Sequence, residues 1–220
     1  MLNYKIANFD RIVSNLLSKY DKPYNYASVD PSVDIYRMAE ANGLKVRPIQ
    51  FVSPKKKITF LETDGTLTEG SIRGNHAVIM EDGTVVMDEQ DRGNEGQIRF
   101  NIAHELAHVL LEHIKLPADC NANVGLSRRK RPSLIAKVFP FSKYRKKEEE
   151  ADHLAANLLV PAYRFQFWED KADEEVAKVF KVDPKCIKKR QREIRDELTE
   201  LKAAVIQNID APNAKLSAVS

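Results

Sequence analysis

The segment from Gln97 to His113 constrains this chain more than any other. With residues 98–114 set on a helix at about 100° per residue, Phe100, Ile102, Ala103, Leu106, Ala107, Val109, Leu110, Leu111 and Ile114 cover most of the circumference. One polar stripe remains, made of Asn101, His104, Glu105, His108 and Glu112. A helix that is apolar nearly all round is a buried helix. Two imidazoles and a carboxylate buried with it are costly unless something pairs with them.

A metal ion supplies that pairing. His104 and His108 stand at i and i+4, so one helix face presents both. Two histidines in this spacing hold one Zn²⁺ through ring nitrogens, and the glutamate after the first, Glu105, reaches the water beside the ion. The plainer alternative is an amphipathic helix whose stripe faces solvent. The expectation is one Zn²⁺ per chain. Such an ion acidifies a water and polarises a peptide carbonyl. Glu105 is then the base that takes the proton and returns it to the leaving amine.

A catalytic zinc site takes three protein ligands and keeps one position for water. The run Glu148-Glu149-Glu150-Ala151-Asp152 is the natural source of the third. Ala151, Leu154, Ala155, Leu158 and Leu159 define the inward face of a helix from Glu148 to Val160, stopped by Pro161. Glu148 and Asp152 project to that side; Glu149, Glu150, His153 and Asn157 project away. Glu148 is therefore the preferred ligand, with Asp152, Glu149 and His153 as the other donors in reach. Asp152, one turn on, suits a hydrogen bond to the far nitrogen of a ligand histidine. Glutamates also gather at helix N-termini for electrostatic reasons alone.

The remaining histidines read differently. His113 falls off the stripe. The position ten residues after His104 is Ile114, which disfavours the extended motif with a third histidine. His76 sits in a strand and reads as structural or surface-placed, with substrate contact the lesser prospect. Cys120 lies near the proposed site in sequence but has no metal-type partner, and with Cys186 it reads as a free thiol in a reducing compartment.

The rest of the chain reads as a helix over 1–27 running into a polar loop, then a short helix capped by Asp30-Pro31 and ended by Gly43. A strand-rich stretch follows: Leu44 to Val46, Lys57 to Leu61 before an Asp64-Gly65 turn, and a hairpin of His76 to Met80 with Thr84 to Met87. His76 to Met80 is the candidate edge strand for holding a substrate. Asp88 to Gly96 is a loop. Residues 115–147 form a long connection, whose part from Arg128 to Lys147 holds nine Lys/Arg and no acid. A solvated mobile loop explains such a run best; attraction to a DNA-bound or acidic partner is the alternative. Helices close the chain at 170–180 and 184–206, the latter starting at Asp183-Pro184, before a patternless tail over 207–220. Helix, turn and basic helix have the outline of a DNA-binding unit, but the usual turn glycine is missing, so direct DNA binding is disfavoured. No apolar run is long enough for a membrane span, and the first twenty residues lack a signal peptide's pattern. A cytoplasmic protein is expected. The net charge of +3 asks for no nucleic-acid partner by itself.

Two segments together carry a resemblance: Arg99-Phe100-Asn101-Ile102-Ala103-His104-Glu105-Leu106-Ala107-His108, and Glu148 through Asp152 onward to Pro161. They resemble the ImmA/IrrE family of metallopeptidases, and Gly43-Leu44-Lys45-Val46 looks like the family's N-terminal part. The resemblance runs from about residue 31 to 165. It implies an α+β, zincin-like fold: a small sheet packed against the active-site helix, with residues 1–165 as the metallopeptidase domain and 166–206 as a helical C-terminal region. It implies metal ligation by His104, His108 and Glu148, with Glu105 as catalytic acid/base. Members act in bacterial or phage cytoplasm, and several cleave a helix-turn-helix transcriptional repressor to release its genes under stress. A protein substrate of that kind is the expected partner. The rival is a non-proteolytic, zinc-stabilised regulator that binds a repressor or DNA. An intact Glu105 favours the enzyme, because a structural site needs no base and normally closes with a fourth protein ligand.

Overall fold

A computed structural model describes residues 3–20, 31–62, 66–72, 76–116 and 140–196. The polar loop after residue 20, the Asp30 cap, the Asp64-Gly65 turn, Cys120, the basic cluster at Arg128 to Arg131 and the tail lie outside the described residues.

Helix α1 (Asn3–Tyr20) buries Phe9, Val13, Leu16 and Leu17 along one stripe, the spacing its sequence predicts. Helix α2 (Ile35–Ala41) is capped by Asp34, whose side chain accepts from the Arg37 amide. The expected cap at Asp30 is thus replaced by an aspartate four residues later. Gly43, at φ 90, ends the helix with the left-handed residue that such an end requires.

Strands β1 (Lys45–Val52), β5 (Thr84–Asp88) and β4 (Ala77–Ile79) form one sheet in the order β1-β5-β4. β5 runs parallel to β1 and antiparallel to β4, with Val78 opposite Val86. β5 is buried along its whole length, as a central strand must be. Its alternate residues face opposite ways. Val85 and Met87 join the main core, while Val86 packs with Val78, Phe60 and Ile72. Phe60 comes from a separate antiparallel pair, β2 (Lys57–Leu61) with β3 (Leu67–Ser71). β3 escapes the sequence reading because Leu67-Thr68-Glu69-Gly70-Ser71 has only one apolar residue.

Helix α3 (Glu95–Leu110) starts at Asn94, whose side chain accepts from the Gln97 amide, and stops three residues before the predicted end at His113. It packs chiefly on helix α4 (Pro140–Leu159), and also on α2, β4 and β5. α4 begins well before the expected Glu148. Residues 140–147, read as part of the basic connection, are helical instead. Proline suits a first turn, and Arg145 pairs with Glu149 one turn on, at 2.9 Å.

After α4, Pro161 breaks the helix and leads into the short α5 (Ala162–Phe165), then α6 (Asp173–Phe180) and α7 (residues 184–196). Asp183 caps α7, accepting from the Lys185 amide at 2.8 Å. The α6–α7 turn rests on the first turn of α3. A Cβ at Gly96 would lie 2.9 Å from backbone atoms of Val182 and Asp183, so only glycine permits that approach. Phe180, Val182, Cys186 and Ile187 enter the same core as α3 and α4. No helix among the described residues is long and apolar enough to cross a membrane.

Candidate metal centre

α3 and α4 face each other with their polar residues turned to one point. His104 and His108 come from α3, and Glu148 and Asp152, also four apart, come from α4. His104 Nε2 lies 3.0 Å from His108 Nε2 and 3.2 Å from Glu148 Oε2. Glu148 Oε1 lies 3.5 Å from His108 Nε2. One ligand atom from each of His104, His108 and Glu148 falls within 4.8 Å of the others. Glu148 is thus the member of the acidic run that meets the histidines at their outer nitrogens. Asp152 meets His104 at the inner one, Nδ1, at 2.9 Å. Glu149 pairs instead with Arg145, and His153 with Glu193.

The donor chemistry of these rings can be followed outward. His104 Nδ1–H donates to Asp152, which leaves Nε2 with a lone pair in the neutral ring. Asp152 is itself braced by Lys189 of α7, whose Nζ lies 3.6 Å from its other oxygen. His108 Nδ1 lies 3.2 Å from His113 Nδ1, and His113 Nε2 lies 3.3 Å from Glu150 Oε2. If His113 donates to Glu150, its Nδ1 accepts from His108, and His108 Nε2 also presents a lone pair. Two lone pairs and a carboxylate then converge with no hydrogen between them. That arrangement calls for a cation. A proton on His104 is one solution; a metal ion, bound through two imidazole nitrogens and a carboxylate oxygen, is the other. The residues present fit a metal ion.

Electrostatics carry the same signature. Burial disfavours a charged His104, yet the hydrogen bonds it donates to Asp152 and Glu148 outweigh it and lift the ring to about 10. Burial likewise opposes ionised Glu148, but the His104 and His108 contacts bring it down to about 2. Glu105 is pushed upward by burial, against the pull of His104 and His108. His113 is lowered to about 4 by burial, then by His108 and Lys147.

A cleft of about 200 Å³ opens onto this cluster. Strand β4, the C-terminal end of β2, and Gln97, Phe100, Asn101 and Glu105 of α3 form its walls together with the three converging residues. His76 and Asp152 also line it.

Several contributors were not visible in the sequence pattern. His113 is off the stripe of a continuous helix, but α3 does not continue. Glu112 adopts the left-handed conformation, at φ 55, and the His113 amide turns back to donate to the His108 carbonyl at 2.8 Å. The ring is thereby folded under His108. Glu150, expected to project away, meets that ring. Lys189 reaches the centre from a helix far along the chain, which no local pattern signals.

The family model described as the IrrE N-terminal-like domain, a peptidase domain, matches residues 55–192. That span is more than half of the chain. The chain belongs to the IrrE N-terminal-like peptidase family. The family expected from the two motif segments is the one found, and the α+β architecture with small sheets packed against helices agrees with it. The IrrE-like match begins before β2, contains both motif-bearing helices and ends within α7. Membership makes a metallopeptidase-like function the coarse assignment for this chain. No curated protein matches it.

Proposed function

We propose that this chain is a zinc-dependent endopeptidase that hydrolyses one peptide bond in a regulatory protein, a helix-turn-helix transcriptional repressor. The observation that carries the reading is Glu105, a buried carboxyl in the same cleft as the converging His104, His108 and Glu148. A structural metal site has no use for such a group. Two imidazoles and one carboxylate are a donor set of catalytic zinc, with a position left for water. Bound zinc would supply a water of lowered pKa and an electrophile for the carbonyl.

Glu105 handles the protons. Burial makes its carboxylate a better base than a solvated one. It takes a proton from the attacking water and delivers it to the departing amine nitrogen. Asp152 and His113 hold the two ligand rings with their outer nitrogens forward. β4 forms a wall of the cleft, where an extended peptide can lie alongside it in strand fashion. The repressor substrate and a cytoplasmic setting rest on the resemblance of the two motif segments to ImmA/IrrE proteins. The α7 residues Lys189 and Arg190 turn inward, to Asp152 and to the Val160 carbonyl, which leaves less of this basic helix for DNA.

The test is incubation of the zinc-loaded protein with repressors encoded beside its gene, followed by mass analysis of the products. A shortened repressor is expected, absent with chelator, and slower by about 10²–10⁴-fold with Glu105→Gln. Equal cleavage by the zinc-loaded variant would remove Glu105 from the mechanism. A stable complex without cleavage would favour the binding-regulator alternative.

A further inference from the structure

Peptide hydrolysis at such a centre needs a second electrophile, because the carbonyl oxygen gains negative charge as water adds. The side chains around the cleft narrow the choice. Glu62, Glu105, Glu148 and Asp152 are acids, and His104 and His108 are committed to the cluster. Gln97 donates to the Asn101 side-chain oxygen at 2.8 Å. Asn101 in turn donates to Asp91 Oδ2 at 2.9 Å and to the His76 carbonyl. Among the described residues of the cleft wall, His76 is then the side chain able to carry positive charge without belonging to the ligand cluster.

His76 is not a loose surface ring. Its side chain is 68% exposed, yet Nδ1 lies 3.2 Å from the carboxylate of Asp91, which is 9% exposed. That buried carboxylate is clamped by Asn101, one turn before His104 and Glu105 on the same helix. A backbone bond from the Asp88 amide to the His76 carbonyl, 3.0 Å, fixes the main chain at this point. The ring is therefore registered to the catalytic helix through a chain of hydrogen bonds. Nδ1–H is committed to Asp91, leaving Nε2 as the available nitrogen, a donor in the imidazolium form. A carboxylate holding an imidazole by one nitrogen so that the other can work is a recurring catalytic device. His76 also immediately precedes β4, so a peptide lying along that strand passes beside it.

We propose that His76, positioned by Asp91 and Asn101, is a catalytic residue. It donates a hydrogen bond from Nε2 to the carbonyl oxygen of the scissile peptide as charge develops there. The ring keeps its proton throughout; the water's proton travels by Glu105. The proposal rests on the peptidase reading and adds a residue to it.

The test uses the full chain loaded with cobalt(II), whose visible spectrum reports on the ion, and inorganic phosphate as a tetrahedral anion. His76→Ala and His76→Gln alter an exposed ring, so both are expected to fold and to bind cobalt as the parent does. Phosphate is expected to bind His76→Ala more weakly by roughly 10–100-fold, the worth of one hydrogen bond to a charged group. His76→Gln should recover part of the loss. On any peptide that the parent cleaves, kcat should fall about 10²–10³-fold with KM little changed. Undiminished phosphate binding by His76→Ala, or none by the cobalt-loaded parent, would overturn the role given to His76 and leave the metal centre standing. Failure of the parent to bind cobalt would overturn the metal centre and His76's role together.

Discussion

His113 Nδ1 lies 3.2 Å from His108 Nδ1, so one histidine orients another behind the cluster of His104, His108 and Glu148. The chain ends on Glu150, 3.3 Å from the far nitrogen of His113. A ligand imidazole bound through Nε2 must carry its proton on Nδ1, and that proton needs an acceptor. His113 supplies it, and Glu150 fixes the tautomer that makes His113 an acceptor. His113→Phe keeps the ring's bulk and removes the acceptor. Metal affinity, measured by competition with a chromophoric chelator, should fall about 10–100-fold. Unchanged affinity would show that His113 only fills space.

The other imidazole of the cluster, His104, has a different support. Asp152 holds His104 Nδ1 at 2.9 Å and is steadied by Lys189 from α7. Asp152→Asn leaves an oxygen to accept but removes the charge. A loss of about 10-fold in metal affinity is expected, at the low end for an outer-shell partner. Asp152→Ala should lose more. Equal affinities for the two variants would contradict a role for the hydrogen bond itself.

Without metal, stability should depend on pH in a defined way. His104 is raised from its ordinary 6.5 to about 10, so the stability it contributes is complete below 6.5 and disappears as pH rises through 10. Glu148 is lowered from 4.5 to about 2, so its contribution is complete above 4.5 and disappears as pH falls through 2. Both are in place between 4.5 and 6.5. Thermal unfolding of chelator-treated protein should show a plateau in that window and decline on either side. Metal replaces the proton on His104, so loading should flatten the alkaline decline. An alkaline decline identical with and without metal would contradict this.

The docking of the α6–α7 turn onto helix α3 turns on one missing methyl. Gly96→Ala would set a Cβ 2.9 Å from backbone atoms of Val182 and Asp183. Backbone cannot yield as a flexible side chain does. A destabilisation of roughly 1–3 kcal/mol is expected, the usual range for overpacking. Chemical denaturation measures it. A variant as stable as the parent would mean that the α6–α7 turn adjusts freely.

Much of this is legible in the sequence. The i, i+4 spacing of His104 and His108 and the inward face marked by Ala151, Leu154 and Leu158 follow from helical periodicity alone, and they select Glu148 and Asp152 over Glu149 and His153. What failed to show depends on where helices stop and on contacts distant in sequence. A wheel drawn to His113 assumes a helix that ends at Leu110 and reverses at Glu112. The same assumption hid Glu150, whose partner is that reversed ring. Pro140 to Lys147 read as loop because the positive run has no apolar stripe, yet Glu149 gives Arg145 a pairing partner one turn on. Asp91 looked like one polar residue in a loop, and only the folded chain sets it between Asn101 and His76.

X-ray absorption at the zinc edge tests the central claim most directly. Protein loaded with zinc and freed of excess metal should carry one ion per chain. The ion should have about four nitrogen or oxygen neighbours at roughly 2.0–2.2 Å, with the outer-shell scattering of two imidazoles. His104→Ala should reduce the imidazole signal to one ring. Zinc bound through sulfur, or an imidazole signal untouched by His104→Ala, would contradict the assignment of the centre to His104, His108 and Glu148.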